Sequence, residues 1–518
     1  MNVACVTKLR RTLGFVGSGE GRRTLTTVVI ALGSSLFMLI AGCANPGGIE
    51  PRASLLEPRA LGEAAALPSP PASSPSVEPG WWRAFADPQL GNLVERAIAG
   101  NPSLRVAEAR SRRAAASVAA AEAQRGPQLN GALDATRQRY TENGLVPPPI
   151  AGSRQETATV QVTGAWELDL FGRHRAQLEA AIGAERAAAA DAEAARVALA
   201  VNVARTYVQL ARLVEQREVL ARTLAHRGEV LSLVRQRVSA GLDTTLELRQ
   251  GEGALPETRQ QIEAVAEQIC WTRHALAALL AEPSDRFDAF APRLSAVRAV
   301  AVPAVVPADL VGRRADIVAA RWRVEAAAGD VRSARAQFYP NVSLTAFVGL
   351  SSIGFDRLLR SGSEQYGVGP AIRLPIFDAG RLRAGLAGRT ADLDAAVESY
   401  NATLVDAIRD VADQIGSLRA IERQQREQEA AHASAEAAYD IAVQRYRAGL
   451  GTFLTVLTAE TQVIAQRRLS TDLRARALDA QILLVRALGG GYQAAAEARK
   501  LTHRNHLDDF RPGRADPA

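Results

Sequence analysis

The chain has 518 residues, 47% of them hydrophobic but only 5% aromatic. Its net charge is +7, yet the basic residues are spread among Glu and Asp along helical runs. With no basic cluster carrying interleaved aromatics, composition argues against a nucleic-acid binder, and the runs described below are too long for a string of ordinary globular domains.

The N-terminal residues read as an export signal, expected over 1–42. Arg22 and Arg23 precede an apolar run from Thr24 to Ile40, which ends in Leu39-Ile40-Ala41-Gly42-Cys43. A charged region, an apolar stretch and small residues before a cleavage point define such a signal. The stretch before Arg22 is long for one and allows a start further along. The ending resembles a bacterial lipobox, which implies cleavage before Cys43 and a lipid on that thiol. A plain signal peptide with a coincidental Cys is the rival reading. By resemblance to sorted lipoproteins, Ala44 beside the Cys favours the outer membrane. Of the three cysteines, Cys5 leaves with the signal and Cys43 is acylated, so Cys270 has no disulfide partner. Cys270 stands in an apolar helical run and is expected to be inert core.

Residues 43–80 are rich in Pro, Ser and Ala and predict an extended tether. Trp81-Trp82 and Phe85 open the ordered part. A helix from Asp87 to Ala99 follows, then one from Pro102 to Gln124, with Asn101 as its cap and Pro102 in its first turn. Two strands are expected, about 128–140 and 157–170. In the second, Ala158, Val160, Val162, Gly164, Trp166, Leu168 and Leu170 alternate with Thr157, Thr159, Gln161, Thr163, Glu167 and Asp169, a period of two with one apolar and one wet face. From Gly172 to Ser239 nothing breaks the helical pattern, which gives a rod of about 100 Å. A returning helix runs from Thr245 to Ala281, with a bend expected at Pro256. Residues 284–310 read as an irregular connector.

The programme then repeats. A helix runs from Ala315 to Gln337, strands are expected at about 341–350 and 366–377, and a second rod runs from Gly380-Arg381 to Ala448. Pro370 and Pro375 place the last strand near an edge. A final helix from Thr452 to Leu488 stops at Gly489-Gly490-Gly491, and 492–518 is a polar tail expected to be disordered. Each rod ends in a matching turn: Gln236-Arg237-Val238-Ser239-Ala240-Gly241-Leu242 and Gln444-Arg445-Tyr446-Arg447-Ala448-Gly449-Leu450, about 208 residues apart. In each, Gly supplies the left-handed position that stops a helix, and Thr244 or Thr452 caps the next one. Thr244 and Glu247 have the spacing of a capping box. The repetition argues for duplication, with repeats over 81–290 and 291–491.

Four strands cannot close a barrel. Open edges inside a membrane are forbidden, so an anchored chain with such strands points to an oligomer that pools them. The strand physics allows several copy numbers.

This order of elements resembles the TolC-like outer-membrane efflux family, and the lipobox places it with the OprM/NodT-type lipoprotein branch. The resemblance rests on Trp81-Trp82, Phe85, Asp87-Pro88, Leu90, Asn101-Pro102, Trp166-Glu167-Leu168-Asp169-Leu170-Phe171-Gly172, Arg314-Ala315-Asp316-Ile317, Ala334-Arg335-Ala336-Gln337-Phe338-Tyr339-Pro340, Pro375-Ile376-Phe377-Asp378-Ala379-Gly380-Arg381 and both turns. It covers residues 81 to 491. It implies a mainly α fold with membrane β: long coiled-coil hairpins forming a periplasmic tunnel, and four strands per chain in a twelve-stranded barrel of a homotrimer. It implies a passive exit duct for drugs and other small amphiphiles, working with an inner-membrane pump and a periplasmic adaptor, without a cofactor. Arg237, Gly241, Leu242, Arg445, Gly449 and Leu450 are then candidate adaptor contacts, although the glycines also satisfy a purely structural need. Relatives often carry Asp residues that narrow the pore where this chain has Thr455 and Thr458. Tyr446 and Glu247 match positions that link neighbouring helices, so a Tyr446–Glu247 hydrogen bond is expected to hold the gate. Glu247 equally suits capping alone, and Arg249 adds a positive charge nearby.

Two readings of other classes compete. An enzyme would need a site motif, and Gly489-Gly490-Gly491 lacks the Lys-Ser/Thr of a phosphate loop. His503 and His506 are loosely spaced in the tail. A non-pore periplasmic rod would not need strands. A protein or peptide secretion duct is the alternative within the channel class.

Overall fold

The computed structural model describes residues 47–56, 77–299 and 314–492. The expected signal, Cys43, Ala44, most of the connector prolines, His503, His506 and nearly all of the tail lie outside the described residues. Seven α-helices and four strands make up the described chain: α1 (Pro88–Gly100), α2 (Pro102–Ala123), β1 (Gln128–Arg139), β2 (Arg154–Leu168), α3 (Arg173–Ser239), α4 (Thr245–Leu280), α5 (Ala315–Ala336), β3 (Asn341–Ile353), β4 (Glu364–Arg373), α6 (Arg381–Arg447) and α7 (Phe453–Ala487). Two compact units result, one built around the strands and one from the helices.

The strand unit is a single antiparallel sheet in the order β1-β2-β3-β4. β2 and β3 come from different halves of the chain and pair from Thr157↔Ile353 to Leu168↔Val342. The predicted alternation of β2 is observed, and the register aligns apolar rows across strands. Leu133 lies beside Val160 and Val160 beside Leu350; Val162 neighbours Val348, which neighbours Tyr366; Leu168, Val342 and Ile372 end the face. This apolar face is bare: Leu133, Val348, Tyr366, Val368 and Ile372 are all exposed. The other face is polar, with Thr159 bonded to Ser351 at 3.1 Å and Gln365 donating to Gln161 at 3.2 Å. Among the described residues, β1 and β4 each pair along one edge only. Pro370 is accommodated on such an edge strand, opposite Leu344. The last strand ends at Arg373 rather than at 377, because Asn341, the first residue of β3, pairs with Arg373 and leaves nothing beyond to bond.

In the helical unit, α3 and α6 are each 67 residues long, about 100 Å. Asp87 caps α1 by accepting from Gln89 N–H, and its other oxygen accepts from the buried Tyr207 hydroxyl of α3. Asn101 caps α2 as expected, at 2.8 Å from Ser103 N–H, while its amide donates to Leu279 O of α4. Trp81, Trp82 and Phe85 fill the core between α1 and the middle of α3. Arg314 donates to Asp316 (2.7 Å) and to Asp410 (3.2 Å), fastening the start of α5 to α6.

Beside the strand end, expectations change at the tether and at Cys270. Part of the tether is held: Arg52 N–H and Ala53 N–H both donate to Asp394 of α6, and Asn401 reads the backbone of Ser54 and Leu56. α4 does not end at Pro256: its helical assignment continues through the proline. Cys270 is exposed, with its sulfur 3.5 Å from His274 Nε2 one turn along; its apolar neighbours turn to the other side of α4, where Ile269 is buried.

Candidate functional site

The two turns are built alike. Gly241 has φ +73° and Gly449 φ +74°, a conformation that costs a residue with a Cβ about 1–2 kcal/mol. Gly241 N–H donates to Val238 O and Leu242 N–H to Arg237 O; Gly449 N–H donates to Tyr446 O and Leu450 N–H to Arg445 O. This pair of bonds satisfies two of the last carbonyls of each of α3 and α6. Thr244 and Glu247 form the full capping box of α4, and Thr452 caps α7 by accepting from Thr455 N–H.

A buried cluster joins the turns. Val234, Ala442, Tyr446, Phe453 and Val456 form its apolar part. Arg237 grips Asp243 with two bonds, of 2.9 and 3.2 Å, and its guanidinium lies 4.7 Å from the centre of the Tyr446 ring. The Tyr446 hydroxyl donates to Asp243 Oδ2. One carboxylate thus ties the end of α3, the first turn and the end of α6 together. Burial pushes the Asp243 carboxyl up, but the bonds from Arg237 and Tyr446 outweigh it and hold the group below the usual range. Burial raises the Tyr446 phenol, and the Asp243 carboxylate beside it raises it further. At neutral pH the arrangement is an ionised acid clasped by a cation and a phenol.

The expected Tyr446–Glu247 bond is therefore replaced within the chain by Tyr446–Asp243. Glu247 accepts from Thr244 N–H and from the Thr244 hydroxyl, which turns it toward its own cap. These Thr244 bonds also lower the Glu247 carboxyl. Asp243 went unnoticed in the sequence, where its place immediately before the Thr cap and six positions after Arg237 was the available signal. Of the other candidates, Gly241, Leu242, Arg445, Gly449 and Leu450 are exposed at the turn surfaces, and Arg445 bends back to Leu450 O. Thr455 and Thr458 are exposed on α7 and bonded locally, to Thr452 and to Leu454 O. Arg249 is exposed and paired with Glu252 at 2.9 Å. Among the described residues, no group of His, Cys, Asp and Glu is arranged to hold a metal ion.

Residues 93–282 and 306–490 match the family described as outer membrane efflux protein. The chain belongs to that family. It is 37% identical over 372 residues to the fusaric acid resistance protein FusA of Burkholderia cepacia, covering 71% of this chain and 69% of that one. It is 32% identical over 438 residues to the multidrug resistance outer membrane protein MdtP of Shigella flexneri, covering 83% and 90%. The crystal structure of VceC, an outer membrane protein of Vibrio cholerae, superposes with a TM-score of 0.76 at 35% identity, covering 80% of this chain and 99% of that one. The TolC-like resemblance read from the sequence thus holds. This efflux protein resides in the outer membrane with a large periplasmic helical part, and its relatives are channel proteins rather than enzymes.

Proposed function

We propose that the chain forms a homotrimer whose twelve strands close one barrel, and that this trimer is the passive exit duct of a tripartite pump. Drugs and other small amphiphiles would enter from an inner-membrane transporter through a periplasmic adaptor. The observation that carries the reading is the sheet: four strands, one bare apolar face, one polar face and two unpaired edges. In lipid such edges require partners, and three sheets supply the strand number of a mid-sized barrel with a polar lumen. The equal lengths of α3 and α6 and the matching turns support duplication, with repeats over 81–290 and 291–491. The exposed turn residues Gly241, Leu242, Arg445, Gly449 and Leu450 are the proposed adaptor contacts, together with Arg237, whose side chain is largely enclosed beside Asp243. The Arg237–Asp243–Tyr446 cluster is the proposed latch of the periplasmic gate. Thr455 and Thr458 line it without acidic charge, and Glu247 serves as a cap beside it. Cys43 is the proposed lipid attachment. The fusaric acid and multidrug resistance relatives support small-molecule cargo.

The test is the mass and planar-bilayer conductance of the mature protein in detergent. A trimer with small, flickering conductance is expected. A water-soluble species without conductance would refute the duct.

A further inference from the structure

We propose that Arg227 is a positioning residue for this gate: it splints a weakened turn of α4 and sets the level below which the tips of α4 and α7 move. The proposal rests on reading the Asp243 cluster as the latch and adds the place about which the latched segments swing.

α4 carries Gly251, Gly253 and Pro256 within two turns. Glycine and proline are the poorest helix formers. Pro256 has no N–H, so the carbonyl of Glu252 receives no bond from within the helix. Such a stretch is a weak point of a helix, yet α4 keeps its helical hydrogen bonding on both sides of it and does not end there. The Arg227 guanidinium of α3 accounts for this. Its Nη1 donates to Ala254 O at 3.0 Å and to Thr258 Oγ1 at 2.9 Å, one on each side of Pro256. Its Nε donates to Glu460 Oε2 of α7 at 2.9 Å. Thr258 completes the bracket by donating to Ala254 O at 2.7 Å. One side chain therefore spans the proline turn of α4 and binds it to both neighbouring helices.

The group is enclosed, with 13% and 8% of the Arg227 and Glu460 side chains exposed. Just below it, α4 packs close: a Cβ on Gly251 would lie 2.9 Å from Leu231 Cδ1 of α3 and 3.6 Å from the Phe453 ring of α7. Arg227 precedes Gly241 by fourteen positions, about 21 Å along the helix. Opening is thus confined to roughly the last four turns, and the long upper part of the hairpins stays packed.

The experiment is single-channel recording on Arg227→Met/Glu460→Gln, a pair of changes that leaves no unpaired buried charge. Open probability should rise at least tenfold, and adding Pro256→Ala, which restores the missing helix bond, should return it toward the original value. A purely structural ion pair would give no rescue by Pro256→Ala, and that result would overturn the proposal. Arg227→Lys is the conservative companion: it keeps a cation for Glu460 but has one nitrogen where Arg227 uses two, Nε for Glu460 and Nη1 for Ala254 and Thr258, so it should also open the channel and be rescued. Tyr446→Phe separates the two ideas. If it opens the channel while both Arg227 variants stay closed, the splint is wrong and the latch stands. If the Arg227 variants open and are rescued while Tyr446→Phe does not open, the splint stands and the latch is wrong.

Discussion

Tyr446→Phe removes one hydroxyl from the proposed latch and nothing else. The ring keeps its contacts with Phe453, whose centre is 5.8 Å away, and with Arg237. Asp243 keeps its two bonds from Arg237. The loss is therefore one hydrogen bond to a charged acceptor, about 1.5–3 kcal/mol. The Arg237 and Asp243 side chains are only 14% and 11% exposed, so water compensates poorly. Because each 1.4 kcal/mol is a factor of ten, the ratio of closed to open gate should fall by roughly ten- to a hundredfold per chain. The assay is open probability in a planar bilayer, with assembly checked by mass. Asp243→Asn should act in the same direction. Glu247→Ala should leave opening unchanged, since Glu247 bonds to Thr244 instead. Opening by Glu247→Ala with none by Tyr446→Phe would refute the assignment of Asp243 as the carboxylate that holds the gate.

Other substitutions test other parts. Gly449→Val forces a β-branched residue into the left-handed region, costing about 1–2 kcal/mol, and should impair export more than assembly; Gly449→Asn, which tolerates that region, should be milder in an export assay. Equal loss of export and assembly would support a purely structural glycine. Val348→Arg, on the bare apolar face, should cost about 2–4 kcal/mol of membrane insertion, whereas Gln161→Arg on the polar face should insert normally and change ion selectivity. Asp316 is half-enclosed beside Arg314: burial opposes its charge, but the Arg314 bonds prevail and hold the carboxyl below its ordinary value of 3.8. A depressed acid stabilises the fold above its unfolded value and loses that contribution as pH falls through the folded one. The melting temperature should therefore drop below about pH 4, and Asp316→Asn should flatten that drop.

The helical rods and the turns were readable because their causes are local. A left-handed helix stop needs Gly, and a capping box needs Thr and Glu three apart. The strand of period two was readable because only one face of it is apolar. The partner of Tyr446 was not readable, because Asp243 lies 203 positions away and its selection depends on how α3 and α6 pack. Cys270 was misjudged for a related reason. An apolar helix segment shows that some face is buried, but not which one, and here Ile269 and Leu276 take the core side. The held part of the tether left no pattern at all, since Asp394 and Asn401 bind its backbone and any sequence would present the same groups.

The two jobs proposed for this chain would draw on different residues. Membrane closure would rest on the edges of β1 and β4 and on the apolar rows between them, all in the strand unit. The proposed latch at Asp243 and the proposed splint at Arg227 consist of helical-unit residues alone. Strand pairing between copies satisfies a row of backbone groups that lipid cannot, several kcal/mol for each group left bare. The proposed latch has three bonds in all, two from Arg237 and one from Tyr446. A sequence built this way can let its tips open and close without endangering the oligomer. Latch variants should therefore change conductance at unchanged mass. Loss of the trimer in Tyr446→Phe would mean that helix packing at the tips, rather than strand pairing, holds the copies together.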